Sequence, residues 1–587
     1  MMHHKRVHHL SEASGEEAGW VEGITGLTEE SPATGLLTMD DVSRKDRASA
    51  LAARSAVVNG LASLGLSEDF QTRLEHAIEV MYSELEYVGE SSLEVGTPGP
   101  WGFAMTDPGN LEVALEQLGK AAAERQADLT ILRKRTLDVP AEQEDEGTVP
   151  CHVADVLVRC RAGTRAPSEV RVAIIGNVDS GKSTMVGVLT RHILDDGRGL
   201  ARSRVFKHTH EEATGRTSSI GQHNLVLDSK GVILNDPMFK NTNCADYVAR
   251  ASKVLTLVDL AGHERYFKTT AYGLTGHLPD YGCVIIGANA GVIGMCKEHL
   301  GVALALKVPV FFVVTKVDIC PEHILKNTMQ SLTTILRKPG VKKKPIIVRS
   351  EADVLLCAKN IMADSLAPIF LTSAVTGEGL DLVRMFFNLL PQRQHWADKW
   401  NDAVEFIIDE TFGVPGVGTV VAGTVKRGII GVNSTLLLGP DIGDASFKPT
   451  AIKSIHYKRL TVSQVVAGQT AALALKKVKR GQVRKGMVLV GMQLKPKATW
   501  EFDADIAILT HSTTIQPRYQ AVIHCEIVKQ SAKVVAMDRE RLRSGDRAVV
   551  RFRFLQRPEY LTPGSRFVFR EGRTKGIGVI IGVEGDQ

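Results

Sequence analysis

The chain has 587 residues, more than one hydrophobic core serves, so several domains are expected. No apolar run is long enough to span a bilayer, and a net charge of +5 permits an RNA partner without arguing for one. The eight cysteines are scattered, none in C-x-x-C spacing, which points to a reduced cytoplasmic chain and away from a disulfide framework or a zinc site.

Residues 1–45 are polar and without periodicity, and read as a disordered tail. The basic stretch 1–10 is followed by no apolar segment, so a secretory signal is not expected. His3, His4, His8 and His9 lie in that tail and read as composition, not as a metal site. A small α/β module is expected over 46–165. It opens with helical periodicity over 46–87. Asp107-Pro108 then reads as a cap with proline in the first turn. Leu111, Ala114, Leu115, Leu118 and Ala122 follow on one helical face. Residues 129–132 and 153–158 read as strands, with the acidic stretch 142–147 as a loop between them.

Over 166–396 strands alternate with helices, the pattern of a doubly wound, mostly parallel α/β sheet. The apolar run 172–175 reads as a buried strand and 184–190 as the start of a helix. Between them Gly176-Asn177-Val178-Asp179-Ser180-Gly181-Lys182-Ser183, with Thr184 next, fits the phosphate-binding pattern G-x-x-x-x-G-K-[ST]. Its glycines let backbone N–H groups turn toward phosphate oxygens, and the helix start adds positive potential. Lys182 is placed to reach the β- and γ-phosphates, and the Ser183 hydroxyl to bind Mg²⁺. Next, 254–258 reads as a strand ending in Asp259-Leu260-Ala261-Gly262-His263. Asp259 suits Mg²⁺, and the Gly262 N–H suits a γ-phosphate that is lost on hydrolysis. A third strand, 310–314, ends in Thr315-Lys316-Val317-Asp318. A carboxylate there takes both the N1–H and the exocyclic amine of guanine, a donor pair that adenine lacks, so GTP and GDP are the expected nucleotides. Finally 369–374 reads as a strand whose end, Ser373 and Ala374, backs the base. All four motifs fall at C-terminal strand ends, where such sheets bind ligands.

After Trp400 the texture changes to short β-rich runs parted by Gly, Pro and Asp, with no long helix. The runs 403–408, 419–425, 435–438, 451–457, 470–475 and 487–490 predict a β-barrel over 397–495. The runs 500–509, 519–528, 532–536, 548–554, 566–569 and 577–581 predict a second over 496–587.

A nucleotide domain followed by two β-barrels resembles the elongation factor Tu and elongation factor 1-alpha class of translational GTPases. Residues 176–183 resemble that class's G-H-V-D-x-G-K-[ST], and 259–263 its D-x-P-G-H, with Ala261 for the proline. Pro415 to Gly423 resembles the opening of its second domain, Arg484 to Val488 that domain's close, and Phe567 to Gly578 the end of the third. Asp195-Asp196-Gly197-Arg198-Gly199, Ser218-Ser219-Ile220, Gly276 to Asp280, Lys297 to Leu300 and Ser454 to Arg459 are similar to the eukaryotic GTP-binding protein 1 family.

The resemblance implies a GTPase that acts with aminoacyl-tRNA on the ribosome, in elongation or in RNA quality control, as a cytoplasmic monomer. It leaves open a GTP-switched scaffold that recruits RNA-decay factors such as the exosome. It implies that His263 orients the attacking water. It places the first switch between Asp195 and Gln222, where one hydroxyl completes the Mg²⁺ shell. Thr217, Ser218 and Ser219 are the candidates. The class's use of threonine favours Thr217, and a gap-free register through 220–228 favours Ser219. Thr315 stands where the class has asparagine, and its shorter side chain is expected to tie the loops less tightly.

Overall fold

The computed structural model describes residues 68–97, 105–140, 148–235, 244–441, 443–511, 513–571 and 574–583. The tail expected over 1–45, the helical pattern before residue 68 and the acidic stretch 142–147 lie outside the described residues. Among those described, no helix is long and apolar enough to cross a membrane.

The first module pairs two helices, α1 (Glu68–Tyr87) and α2 (Pro108–Glu124), with strands β1 (Glu90–Val95), β2 (Ala127–Pro140) and β3 (Thr148–Cys160). The antiparallel sheet runs β1-β3-β2. Asp107 caps α2 as its sequence requires, accepting from the Gly109 N–H at 2.9 Å with proline in the first turn. The apolar face of α2 closes on Ile78, Met81 and Val156 in one core. Strand β1 has no counterpart in the sequence reading, because Glu-Ser-Ser-Leu-Glu-Val carries neither clean alternation nor an apolar run. It forms because β3 offers it a long, buried partner.

The central domain is a seven-stranded sheet of order β5-β6-β4-β7-β8-β10-β9. Its strands are β4 (Ser168–Gly176), β5 (Gly221–Leu227), β6 (Lys253–Asp259), β7 (Tyr281–Gly287), β8 (Val310–Thr315), β9 (Lys344–Val348) and β10 (Leu366–Leu371). All pairs are parallel except β5 with β6. Strands β4, β6, β7 and β8 are buried along their whole length, which is why they read as runs instead of alternating. The strand order turns back at β4, so the crevice at its C-terminal end is the ligand-binding position of such a sheet.

Two barrels follow. Strands Glu405–Val414, Gly418–Arg427, Thr435–Gly439, Lys448–Tyr457, Thr470–Leu475 and Val488–Val490 close a six-stranded ring. Strands Glu501–Thr510, Gln520–Cys525, Val528–Met537, Arg547–Phe554, Arg566–Glu571 and Thr574–Val583 close the second. One expectation is corrected here. The run 519–528 is not a single strand: it breaks at a two-residue turn, Glu526-Ile527, with Cys525 paired to Val528 and Glu526 at φ +47°. The turn lacks Gly, Asn and Pro because Ile527 is a plug. It packs against Tyr272 and Leu278 of the central domain and Ile407 and Val488 of the first barrel.

Candidate functional site

The loop 176–183 leaves the end of β4 and enters α3 (Lys182–Arg191) through Gly181, whose φ of +88° is open to glycine at little cost. The loop is closed on itself. Ser180 Oγ and Lys182 Nζ both donate to the Asn177 carbonyl, at 2.9 and 2.6 Å. Lys182 is buried, and that burial pulls its ammonium down to about 8 even though Asp259 and Asp179 oppose it. Gly262 lies against this same contact. A Cβ there would sit 2.7 Å from the Asn177 carbonyl carbon and would overlap Lys182 Nζ.

Three oxygens meet beside the lysine. Ser183 Oγ donates to Asp259 Oδ2 at 2.7 Å, and Thr217 Oγ1 lies 2.6 Å from Ser183 Oγ and 3.4 Å from Asp259 Oδ2. Asp259, the last residue of β6, is 2% exposed, and its Oδ1 is buried with no hydrogen-bond partner among the described residues. Burial pushes its carboxyl up, against the pull of Ser183 and Lys182. An orphaned carboxylate oxygen beside two hydroxyls is an all-oxygen donor set of the kind a hard divalent cation takes. The structure does not bring Ser218 and Ser219 to this point. Both hydroxyls donate to Glu211, at 3.0 Å each.

Val178, Thr184, Gly262 and His263 line the same cleft. His263 is exposed at its mouth. Its Nδ1 accepts from the Arg265 N–H at 3.1 Å, and its ring meets Tyr266 edge-on. Leu260 and Ala261 are buried behind it, the Ala261 carbonyl accepting from Thr270 Oγ1 at 2.6 Å.

The base-side loops lie on the same sheet edge. Thr315 does tie them: its Oγ1 donates to the Ser180 carbonyl at 2.7 Å, so the shorter side chain still reaches the phosphate loop. Lys316, at φ +63°, donates from Nζ to the Asp179 carbonyl at 2.8 Å. Asp318 is exposed, and the Val317 N–H reaches the Thr372 carbonyl at 3.4 Å. Ser373 lies beyond the end of β10, which stops at Leu371, three residues short of the strand end expected at Ala374. Its buried Oγ accepts from the N–H groups of Val375 and Thr376, at 3.2 and 3.1 Å. The Ala374 carbonyl accepts from the Asp195 N–H at 2.9 Å, which pins the start of the first switch to the base loop.

Two contributors escaped the sequence reading. Arg216 precedes Thr217, lines the cleft, and has Nη2 3.8 Å from Asp179 Oδ2. Glu211 is 1% exposed. Burial works against its charge, but the N–H groups of Ser218 and Ser219 and the Ser219 hydroxyl pull its carboxyl down to about 2. Neither belongs to a motif. The only sequence signal is a glutamate in a short polar stretch, His210-Glu211-Glu212, which is what a surface loop also carries.

A second, larger cavity of roughly 1450 Å³ opens where the central domain meets both barrels. Arg191, Lys207, Arg459, Lys485 and Lys529 contribute cations to its wall. Asp409 and Glu410 supply carboxylates there. Asp409 Oδ1 is buried without a hydrogen-bond partner among the described residues, and Asp409 Oδ2 lies 3.3 Å from His277 Nδ1.

Residues 168–392 match the family model "Elongation factor Tu GTP binding domain", and 418–490 match "Elongation factor Tu domain 2". The chain is 49% identical over 474 residues to GTP-binding protein 1 of Xenopus laevis, an alignment covering 80% of this chain and 70% of that protein. It is 39% identical over 528 residues to GTP-binding protein 2 of Mus musculus, covering 89% of this chain and 86% of that one. Among solved structures, translation elongation factor SelB from Methanococcus maripaludis, in complex with the GTP analogue GppNHp, superposes with a TM-score of 0.52 at 19% identity. That match covers 71% of this chain and 79% of SelB. A bacterial selenocysteine-specific elongation factor matches at 0.52 and 18% identity over 70% of this chain, which spans 58% of that structure. At these identities the two structures establish the fold alone.

Proposed function

The chain belongs to the GTP-binding protein 1 and 2 family of translational GTPases, which hydrolyse GTP, and we propose that it does so on the ribosome with an aminoacyl-tRNA as its cargo. In this reading it works in the cytoplasm as a monomer. The nucleotide lies along the C-terminal sheet edge. Residues 176–184 wrap the phosphates with backbone N–H groups, and Lys182 balances charge on the β- and γ-phosphates. Asp318 reads the guanine, and Thr315, Lys316, Val317, Ser373 and Ala374 hold the loops around it. Ser183, Thr217 and Asp259 hold Mg²⁺. When bound, that ion would supply positive charge to the phosphates and so stabilise the charge that builds up as the γ-phosphate leaves.

Hydrolysis forms a bond from a water oxygen to the γ-phosphorus and breaks the bond to the β–γ bridging oxygen, which leaves as GDP. His263 orients that water. In the present geometry its Nδ1 is engaged by Arg265, so the ring must swing from the mouth of the cleft to act. A ribosome that pushes the ring inward therefore acts as the trigger. Gly262, beside Lys182, is placed to sense the γ-phosphate through its N–H.

The observation that carries the RNA half of this reading is the three-domain cavity. Its cations suit a phosphate backbone, and the unpartnered Asp409 oxygen suits the α-amino group of an aminoacyl end. Single-turnover GTP hydrolysis with ribosomes, with and without aminoacyl-tRNA, tests it. Stimulation that depends on both is the expected result. Turnover indifferent to ribosomes sinks the reading and favours a GTP-switched scaffold for RNA-decay factors such as the exosome.

A further inference from the structure

The three hydroxyls at the end of the first switch are sorted by one carboxylate. Glu211 lies in the short helix α4 (Thr209–Thr214) and is buried. Its Oε1 accepts from the N–H and hydroxyl of Ser218, at 2.8 and 3.0 Å, and from the N–H and hydroxyl of Ser219, at 2.9 and 3.0 Å. Its Oε2 accepts from the Lys207 N–H at 3.2 Å. One side chain therefore grips the chain on both sides of its own helix. The two serines are consumed by that grip. Thr217, the next residue upstream, is left with its Oγ1 turned to Ser183 and Asp259.

We propose that Glu211 is a positioning residue that clasps Ser218 and Ser219 so that the hydroxyl delivered to Mg²⁺ is that of Thr217. The proposal rests on the reading of Ser183, Thr217 and Asp259 as the Mg²⁺ site. Switch loops of this kind are ordered by the γ-phosphate and its metal and released after hydrolysis. The clasp therefore favours the triphosphate state and adds nothing for GDP.

The test is Glu211→Gln, which keeps the size but replaces an acceptor-only carboxylate with a group that is half donor. In the presence of Mg²⁺, affinity for a non-hydrolysable GTP analogue is expected to fall about tenfold to a hundredfold. GDP affinity stays within about twofold, a split that a merely structural loss does not produce. Thr217→Ala gives the same split, and the double variant is no worse than the worse single one. If wild type shows a Mg²⁺-dependent preference for the triphosphate and Glu211→Gln keeps it, the role of Glu211 is overturned. If wild type lacks that preference, the Mg²⁺ reading falls and takes this proposal with it. Should Glu211→Gln lose GDP as well, Ser218→Ala with Ser219→Ala decides, since it leaves the carboxylate and removes two of its five donors. Selective loss of the triphosphate then supports the clasp, and wild-type affinity for both nucleotides overturns it.

Discussion

In the proposed mechanism three side chains divide the work at the nucleotide, and each has its own signature. Asp318 is exposed, so Asp318→Asn is expected to leave the fold intact and move preference from guanine to xanthine nucleotides. A pocket that hydrogen-bonds its ligand rejects a mismatch by orders of magnitude, so competition titration reads the swap directly. The His263 ring is held by the Arg265 N–H and by Tyr266, at the mouth of the cleft that the phosphate loop lines. His263→Ala is expected to keep GTP affinity within a few-fold and to abolish ribosome-stimulated hydrolysis, because in its proposed role it acts on the attacking water in the transition state alone. Stimulated turnover that survives in the variant assigns the water to another group. Thr315 does structural duty instead. Thr315→Val removes the donor to the Ser180 carbonyl and is expected to weaken GTP and GDP alike by about tenfold, as seen in equilibrium titration.

At the scale of elements, the 259–263 loop meets the phosphate loop with no space between them at Gly262. Gly262→Ala would force apart Lys182 and the Asn177 carbonyl, and GTP affinity is expected to drop by at least about tenfold through overpacking. An alanine variant with wild-type affinity would mean that the loop has room to yield. The sequence made β4, β6 and β8 legible because each is an apolar run that stops at a motif. It made the barrel strands legible where turn residues punctuate them. It concealed the Glu526-Ile527 turn, because burial between three domains selects an isoleucine where hairpin chemistry alone would select glycine or asparagine. It left Thr217 and Ser219 undecided for a related reason. The choice is made by Glu211, six residues before Thr217, through bonds that no spacing rule announces.

Over the whole molecule, the first module is bolted to the edge of the sheet opposite the nucleotide. Glu90 takes both Lys253 Nζ, at 2.8 Å, and Arg159, at 2.9 Å. Arg159 and Lys253 also donate to the Asn388 carbonyl, at 3.0 and 3.1 Å. Burial pushes the Glu90 carboxyl up, but the two cations outweigh it and hold the group below the ordinary glutamate range. The sign follows. A carboxyl depressed in the folded state contributes stability above its unfolded value, near 4.3, and loses it as pH falls toward the folded one. Protection of the β1 and β3 amides, taken relative to the intrinsic exchange rate at each pH, is expected to fall over that acidic window in wild type. Glu90→Gln is expected to exchange faster even at neutral pH, having lost about 3 kcal/mol with a buried pair broken. Slow exchange unaffected by the substitution would mean that apolar packing alone holds the module.

Strand β5 joins that dock to the first switch. It begins at Gly221, two residues after Ser219, and ends at Leu227, whose register partner is Lys253. The turn just beyond is fastened to the first module, with Arg159 donating to the Asp228 carbonyl and Ser229 to Asp128. A strand so moored cannot pay out slack, because a slip of one residue would exchange its inner and outer faces. Whatever distance the first switch travels when the γ-phosphate leaves must come from the chain before Gly221. On the proposed nucleotide cycle, the hinge is therefore expected at Ile220 and its upstream neighbours, with the first module held in place by these contacts.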